Sequence, residues 1–133
     1  MSVQYLSPDG LHKNPAFSQA VVVTGAARTV YVGGQNGVDE DGEIVGKTDL
    51  AAQTERALNN MKVALAAGGA NPTDIVKMTI YIVQGQDLAA GFAAFQKTWG
   101  MPANPPVISG LFVAALAHPD FLVEIDAIAV VAE

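Results

Sequence analysis

Cysteine is absent from the 133 residues. No disulfide framework, thiol nucleophile or thiolate metal site can be built, and such a chain fits a reducing, cytoplasmic setting. Histidine is nearly absent too. His12 lies in an irregular N-terminal stretch and His118 beside a proline, and two isolated histidines without a third ligand predict neither metal nor cofactor. Basic residues are few: Lys13, Arg28, Lys47, Arg56, Lys62, Lys77 and Lys97 stand scattered against 13 acidic residues, for a net charge of -6. A nucleic-acid site needs clustered cations to neutralise phosphates, so no nucleic-acid partner is expected. No apolar run approaches the roughly 20 residues of a spanning helix, and Met1 to Tyr5 lacks the basic and apolar segments of a signal peptide, so no membrane association is expected.

What is present is apolar. Half the residues are hydrophobic and only 15% are charged, with a mean hydropathy of +0.29. The length suits one domain spanning 1–133 with a core of its own, and the apolar excess suggests surface covered by copies of the same chain.

Residues 1–16 are broken by Pro8, Asp9-Gly10 and Asn14-Pro15 into turns and short extended pieces. The β-branched runs Gln19–Thr24 and Arg28–Val32, separated by a short turn at Gly25, read as a hairpin. Gly33-Gly34-Gln35-Asn36-Gly37 follows. An acidic stretch comes next instead of a helix with an early lysine, so this segment reads as backbone lying close to another group and not as a phosphate loop. From Thr48 to Ala67, Leu50, Thr54, Ala57, Leu58, Met61, Ala64 and Leu65 recur at helical spacing. Gln53, Glu55, Arg56, Asn59, Asn60 and Lys62 mark the polar side, where Arg56 reads as a solvated residue. Thr48 or Asp49 caps the start and Gly68-Gly69 ends the helix.

Ile75–Val83 reads as a strand with Val76, Met78, Ile80 and Ile82 on one face. A second helix carries Leu88, Phe92, Phe95 and Trp99 at spacings of four, three and four, an aromatic stripe that reads as core. Three prolines make Met101–Pro106 a loop, and Val107–Val113 is a further strand. The expected order is β, β, β, α, β, α, β, β: an α+β domain with both helices on one face of a mixed sheet.

The last strand, Phe121–Val131, puts Phe121, Val123, Ile125, Ala127, Ala129 and Val131 on one wholly apolar face. The opposite face is apolar except for Glu124 and Asp126. Two carboxylates in such a strand mark the first place to look for chemistry. Both carboxylates have a structural reading as well, as acceptors of hydrogen bonds from a neighbouring subunit's backbone or as partners for Arg28.

Gly33-Gly34-Gln35, Ala57-Leu58-Asn59-Asn60, Asp74-Ile75-Val76-Lys77 and Val123-Glu124-Ile125-Asp126-Ala127-Ile128-Ala129-Val130, in that order and spacing, resemble the RidA/YjgF family over nearly the whole chain. The resemblance implies a chorismate-mutase-like fold and a homotrimer. In such a trimer the sheets form a central barrel, with small-molecule clefts between neighbouring subunits. It also implies hydrolysis of imines or enamines derived from amino acids, releasing ammonia. Glu124 falls on the family's acidic residue, which positions water or moves a proton, and Gly34 falls on a glycine of the substrate cleft. Gly33, Gln35 and Ser109 lie near that cleft by alignment.

The departures bear on substrate. Ile108 stands where imine-hydrolysing members carry a carboxylate-binding arginine, Phe17 where a tyrosine is usual, Gly33 where a serine is common, and Ala89 where an asparagine can occur. An isoleucine offers nothing in place of a bidentate, charge-assisted pair. The expected cleft is therefore apolar, suited to a neutral or aromatic ligand, and an amino-acid-derived imine would be held poorly. Burial of Glu124 beside Ile108, without a cation, would favour its neutral acid. Two functions follow from the resemblance: a hydrolase or deaminase acting on C=N bonds, or a non-catalytic metabolite-binding or regulatory trimer.

Overall fold

The computed structural model describes residues 1–133. Strand β1 (Ser2–Leu6) pairs antiparallel with β2 (Ala20–Thr24) as a separate two-stranded sheet. This corrects the expected hairpin. The run after Gly25, β3 (Ala27–Gln35), does not fold back on β2 but pairs with the C-terminal strand β6 (Val123–Ala132). The chain does turn at Gly25, where φ is 91°, but turn chemistry alone does not choose a strand's partner. The main sheet has the order β3-β6-β4-β5, with β4 (Ile75–Val83) antiparallel to β6 and parallel to β5 (Val107–Val113).

Helix α1 (Leu50–Ala67) begins at Asp49, whose carboxylate accepts the Ala52 N–H, and closes at Gly68. Its apolar stripe packs on β3 and β6, where Leu58, Met61, Leu65, Ile75, Met78 and Ile125 are fully or almost fully buried. Gln53, expected on the polar side, is also fully buried. Its amide donates to the carbonyls of Gly46 (3.2 Å) and Asp120 (3.0 Å) and accepts the Leu122 N–H (2.9 Å), pinning α1 to the entry of β6. Periodicity cannot distinguish a solvated glutamine from one that bonds to a distant segment, here Asp120 and Leu122.

Strand β4 contains a bulge, with a register shift between Ile75 and Lys77. The bulge changes the phase of alternation, so Ile75 and not Val76 joins Met78, Ile80 and Ile82 on the helix side. Helix α2 (Leu88–Trp99), capped by Asp87, lies on the same side as α1. It packs against α1, Gly91 fitting closely over Leu50, and stands off β4 and β5. This spacing corrects the reading of the aromatic stripe in part. Phe95 and Trp99 are half-buried and pack against the core as expected, whereas Leu88 and Phe92 are exposed, and all four also line a cavity.

Candidate functional site

The sequence-predicted site residues fall into two groups. The first gathers where β3 meets β6. A register shift between Val32 and Gln35 turns Gly34 toward Glu124, and a Cβ on Gly34 would lie only 2.5 Å from Glu124 Oε2. The glycine is required by close approach, since the carboxylate rests where a side chain would be. Glu124 itself is half-buried. Its Oε1 accepts from Asn36 Nδ2 at 3.3 Å, and the same amide donates to the Val123 carbonyl at 3.0 Å. Asn60 on α1 in turn donates to the carbonyls of Asn36 (3.1 Å) and Val38 (2.8 Å), and Arg56 Nε donates to Asn60 Oδ1 at 3.1 Å.

A chain of contacts thus runs Glu124, Asn36, Asn60, Arg56. Sequence reasoning missed Asn36 as a partner of the carboxylate, and it placed Arg56 in solvent, whereas Arg56 is half-buried and tied to Asn60. Asn60 within the Asn59-Asn60 motif was the one available signal. Gln35 folds its amide back onto the Gly33 carbonyl (3.0 Å), and with Gly34, Asn36, Arg56 and Asn60 it lines a second, more polar cavity of 590 Å³.

The second group lies on the other side of the sheet. Phe17, Ala89 and Ile108 line a cavity of 870 Å³ between α2 and strands β4 and β5, and 15 of its 22 lining residues are hydrophobic. No charged residue lines it. Ile108 pairs with Met78 on the helix side, whereas Glu124 pairs with Tyr81 and points to the open face. Glu124 and Ile108 are therefore not neighbours within one chain. They lie on opposite faces, and β4 runs between their strands. Within one chain the carboxylate does not lie beside Ile108, because β5 adds to the sheet next to β4 and not next to β6. Ser109 has the opposite parity from Ile108 and is exposed on the open face.

Asp126 shares the open face with Glu124. Its Oδ2 accepts from the Tyr81 hydroxyl at 3.4 Å, and it makes no ion pair with Arg28, whose guanidinium instead lies against Gly69. The Asp126 charge is the first cause that pushes the Tyr81 phenol above its ordinary 10.0; desolvation, the hydrogen bond to Asp126 and the Glu124 charge add to it, and a Thr79 hydrogen bond opposes it. His118 is a turn residue, its Nδ1 accepting the Asp120 N–H at 3.0 Å.

The fold and the site define a small α+β protein of the chorismate-mutase-like class. Its helices lie on one side of a mixed sheet, and a hydrogen-bonded carboxylate stands on the other side. A sequence profile described as Endoribonuclease L-PSP matches residues 10–131. A RutC family protein of Pyrococcus abyssi is 35% identical over 114 residues, covering 85% of this chain and 84% of its own. A 2-iminobutanoate/2-iminopropanoate deaminase of Rattus norvegicus is 35% identical over 115 residues, covering 86% and 80%. Among solved structures, a Rid family protein of unknown function from Yersinia pestis superposes with a TM-score of 0.86 at 33% identity, covering 98% of this chain and 100% of that one. The chain belongs to the RidA/YjgF family. No helix is long and apolar enough to cross a membrane.

Proposed function

We propose that this chain is a Rid-type hydrolase or deaminase of C=N bonds whose substrate carries no carboxylate, working as a cytoplasmic homotrimer with ligand clefts between subunits. The observation that carries the reading is the Glu124 carboxylate, half-exposed over the bare backbone of Gly34 and oriented by Asn36. In this reading Glu124 accepts a proton from a water as its oxygen attacks the C=N carbon, giving a tetrahedral carbinolamine. The same carboxyl passes that proton to nitrogen, then takes the proton of the carbinolamine hydroxyl and delivers it to nitrogen as the C–N bond breaks, so that a carbonyl compound and ammonia or an amine leave. Gly34, Gln35 and Gly33 supply backbone near the reacting atoms.

Relatives named as 2-iminobutanoate/2-iminopropanoate deaminases support the reaction type. The apolar wall formed by Phe17 and Ile108 supports a different substrate class, since a buried carboxylate without a cation is costly. Because Glu124 and Ile108 face opposite ways within one chain, a site using both needs a second copy, which supports assembly. The open face of the sheet also supports it, with Tyr31 and Leu111 exposed there at 77% and 44%. Ser109, on that face, would meet a neighbouring subunit. RNA cleavage, suggested by the description of the matching profile, finds no support in seven scattered cations.

A second reading, a non-catalytic metabolite-binding or regulatory trimer, is favoured by the absence of charge around the larger cavity. Glu124→Gln separates the two. Hydrolysis of carboxylate-free imines is expected to vanish in this variant while the oligomeric mass is unchanged. Activity that survives the substitution removes Glu124 from the chemistry, and a wild-type protein inert toward all such imines leaves the binding reading. Hydrolysis of 2-iminopropanoate at rates matching those of the deaminases would overturn the assignment of substrate class.

A further inference from the structure

Both hydrogens and the oxygen of the Asn60 amide are in use. Nδ2 donates to the carbonyls of Asn36 (3.1 Å) and Val38 (2.8 Å), and Oδ1 accepts from Arg56 Nε at 3.1 Å. Turned over, the amide would set its oxygen against two carbonyl oxygens and its N–H groups against a guanidinium. Only one orientation satisfies all three partners, and the charged donor of Arg56 favours it strongly. No carboxylate competes for that guanidinium, because the chain's two ion pairs join Lys13 to Asp9 and Lys47 to Asp120. Arg56 is half-buried at the wall of the polar cavity, where its charge is screened less than that of a fully exposed cation.

Asn60 thus grips the main chain on either side of Gly37, in the turn that presents the Asn36 side chain to β6. The turn is tight: the Val38 N–H donates to the Asn36 carbonyl at 2.8 Å, and a Cβ on Gly37 would lie 2.7 Å from the Gln53 Cα. The Asn36 amide is divided between two acceptors, the Val123 carbonyl at 3.0 Å and Glu124 Oε1 at 3.3 Å. A donor on Oε1 leaves Oε2, which lies over the bare backbone of Gly34, as the oxygen open to a water. A side-chain pair four residues apart on a helix adds little to stability by itself, so a purely structural reading of Arg56 and Asn60 predicts no effect at Glu124.

We infer that Arg56 and Asn60 are positioning residues for Glu124. Arg56 fixes the Asn60 amide, Asn60 fixes the turn at Asn36, and Asn36 holds Oε1, so that Oε2 is the oxygen that takes the proton of the attacking water. This role rests on the proposed function of Glu124 and deepens it by naming what aims the carboxylate and which of its oxygens reacts. Misplacing a reacting group by a fraction of an ångström to one ångström slows the chemical step while leaving substrate binding almost untouched.

Two measurements on the full chain test this: hydrogen exchange of side-chain amides by NMR, and hydrolysis of N-benzylidenemethylamine, an imine without a carboxylate. Arg56→Met keeps most of the stem and removes the donor. In this variant the Asn36 side-chain N–H groups should exchange with solvent about tenfold faster. Those of Gln53, held on the same helix by the Gly46 and Asp120 carbonyls, should exchange as before. The value of kcat should fall about tenfold, with KM changed by no more than about twofold. Arg56→Lys, which still brings a charged donor to Asn60 Oδ1, should recover most of both effects. Unchanged Asn36 exchange in Arg56→Met would overturn the inference, as would equal acceleration at Asn36 and Gln53, the mark of a general loosening of α1. Faster Asn36 exchange with kcat unchanged in an active enzyme overturns it too. In a wild type inert toward the imine the hydrolase reading falls, and the exchange of Asn36 against Gln53 still decides whether Arg56 and Asn60 hold the turn.

Discussion

Tyr81, Asp126 and Glu124 share the open face of the sheet, and their charges act on one another. The phenol is raised above 10.0, chiefly by the Asp126 charge, because ionisation would set a phenolate beside a carboxylate. A tyrosine whose folded value exceeds its unfolded value stabilises the fold below about pH 10, and that contribution is lost as pH rises through the folded value. Asp126→Asn should therefore bring the Tyr81 titration back toward 10.0, read from the pH dependence of the tyrosine ring signals by NMR. An unmoved titration would mean that Asp126 is not its main perturber. The same residue-scale reasoning explains why Asn36 matters. One amide group holds both the Val123 carbonyl and the Glu124 carboxylate, so the side chain cannot rotate without releasing the strand beside it.

Among the elements, α1 is the one that positions the carboxylate strand. Gln53 joins it to Gly46, Asp120 and Leu122, and Asn60 joins it to the loop that carries Asn36. Both side chains come from what the helical pattern marks as its polar face. Gln53→Leu keeps the volume roughly constant but leaves the Asp120 carbonyl and the Leu122 N–H without partners, while the Gly46 carbonyl keeps the Asp49 N–H. The expected cost is roughly 3 kcal/mol, at about 1–3 kcal/mol for a buried group left unpaired. Urea unfolding should show a lowered midpoint with an unchanged slope. A loss below about 0.5 kcal/mol would show that water replaces the amide. Helix α2 behaves differently. Its closest packing is against α1, and its aromatic side chains border a cavity between it and the strands.

For the whole molecule, the unequal treatment of the two sheet faces is the main fact. One face carries the helices and the core, and the other leaves Tyr31, at 77% exposure, opposite Ile128 on the neighbouring strand. Assembly through that face predicts that the wild type sediments at three times 13.8 kDa and that Tyr31→Glu shifts it toward the monomer, since a carboxylate buried in an apolar interface lacks a partner. A wild-type monomer in solution would remove the trimer from the proposal.

Much of this architecture was legible in the sequence, and the physical reason is local. The period of α1, its cap at Asp49, the extents of β4 and β5 and the alternation of β6 depend on near neighbours along the chain, so pattern reveals them. Glu124 stood out for the same reason, as a carboxylate in an apolar strand. Other features depend on which distant segments meet. Strand order puts β4 between Ile108 and Glu124, a bulge exchanges Val76 for Ile75, and Gln53 finds two of its three backbone partners, at Asp120 and Leu122, far away in sequence. The stand-off of α2 from the sheet is of this kind too. Spacing along a helix shows which side chains share a face but not how far away the facing surface lies, so only the tertiary structure could show that Phe95 and Trp99 reach the core while Leu88 and Phe92 stay exposed at a cavity.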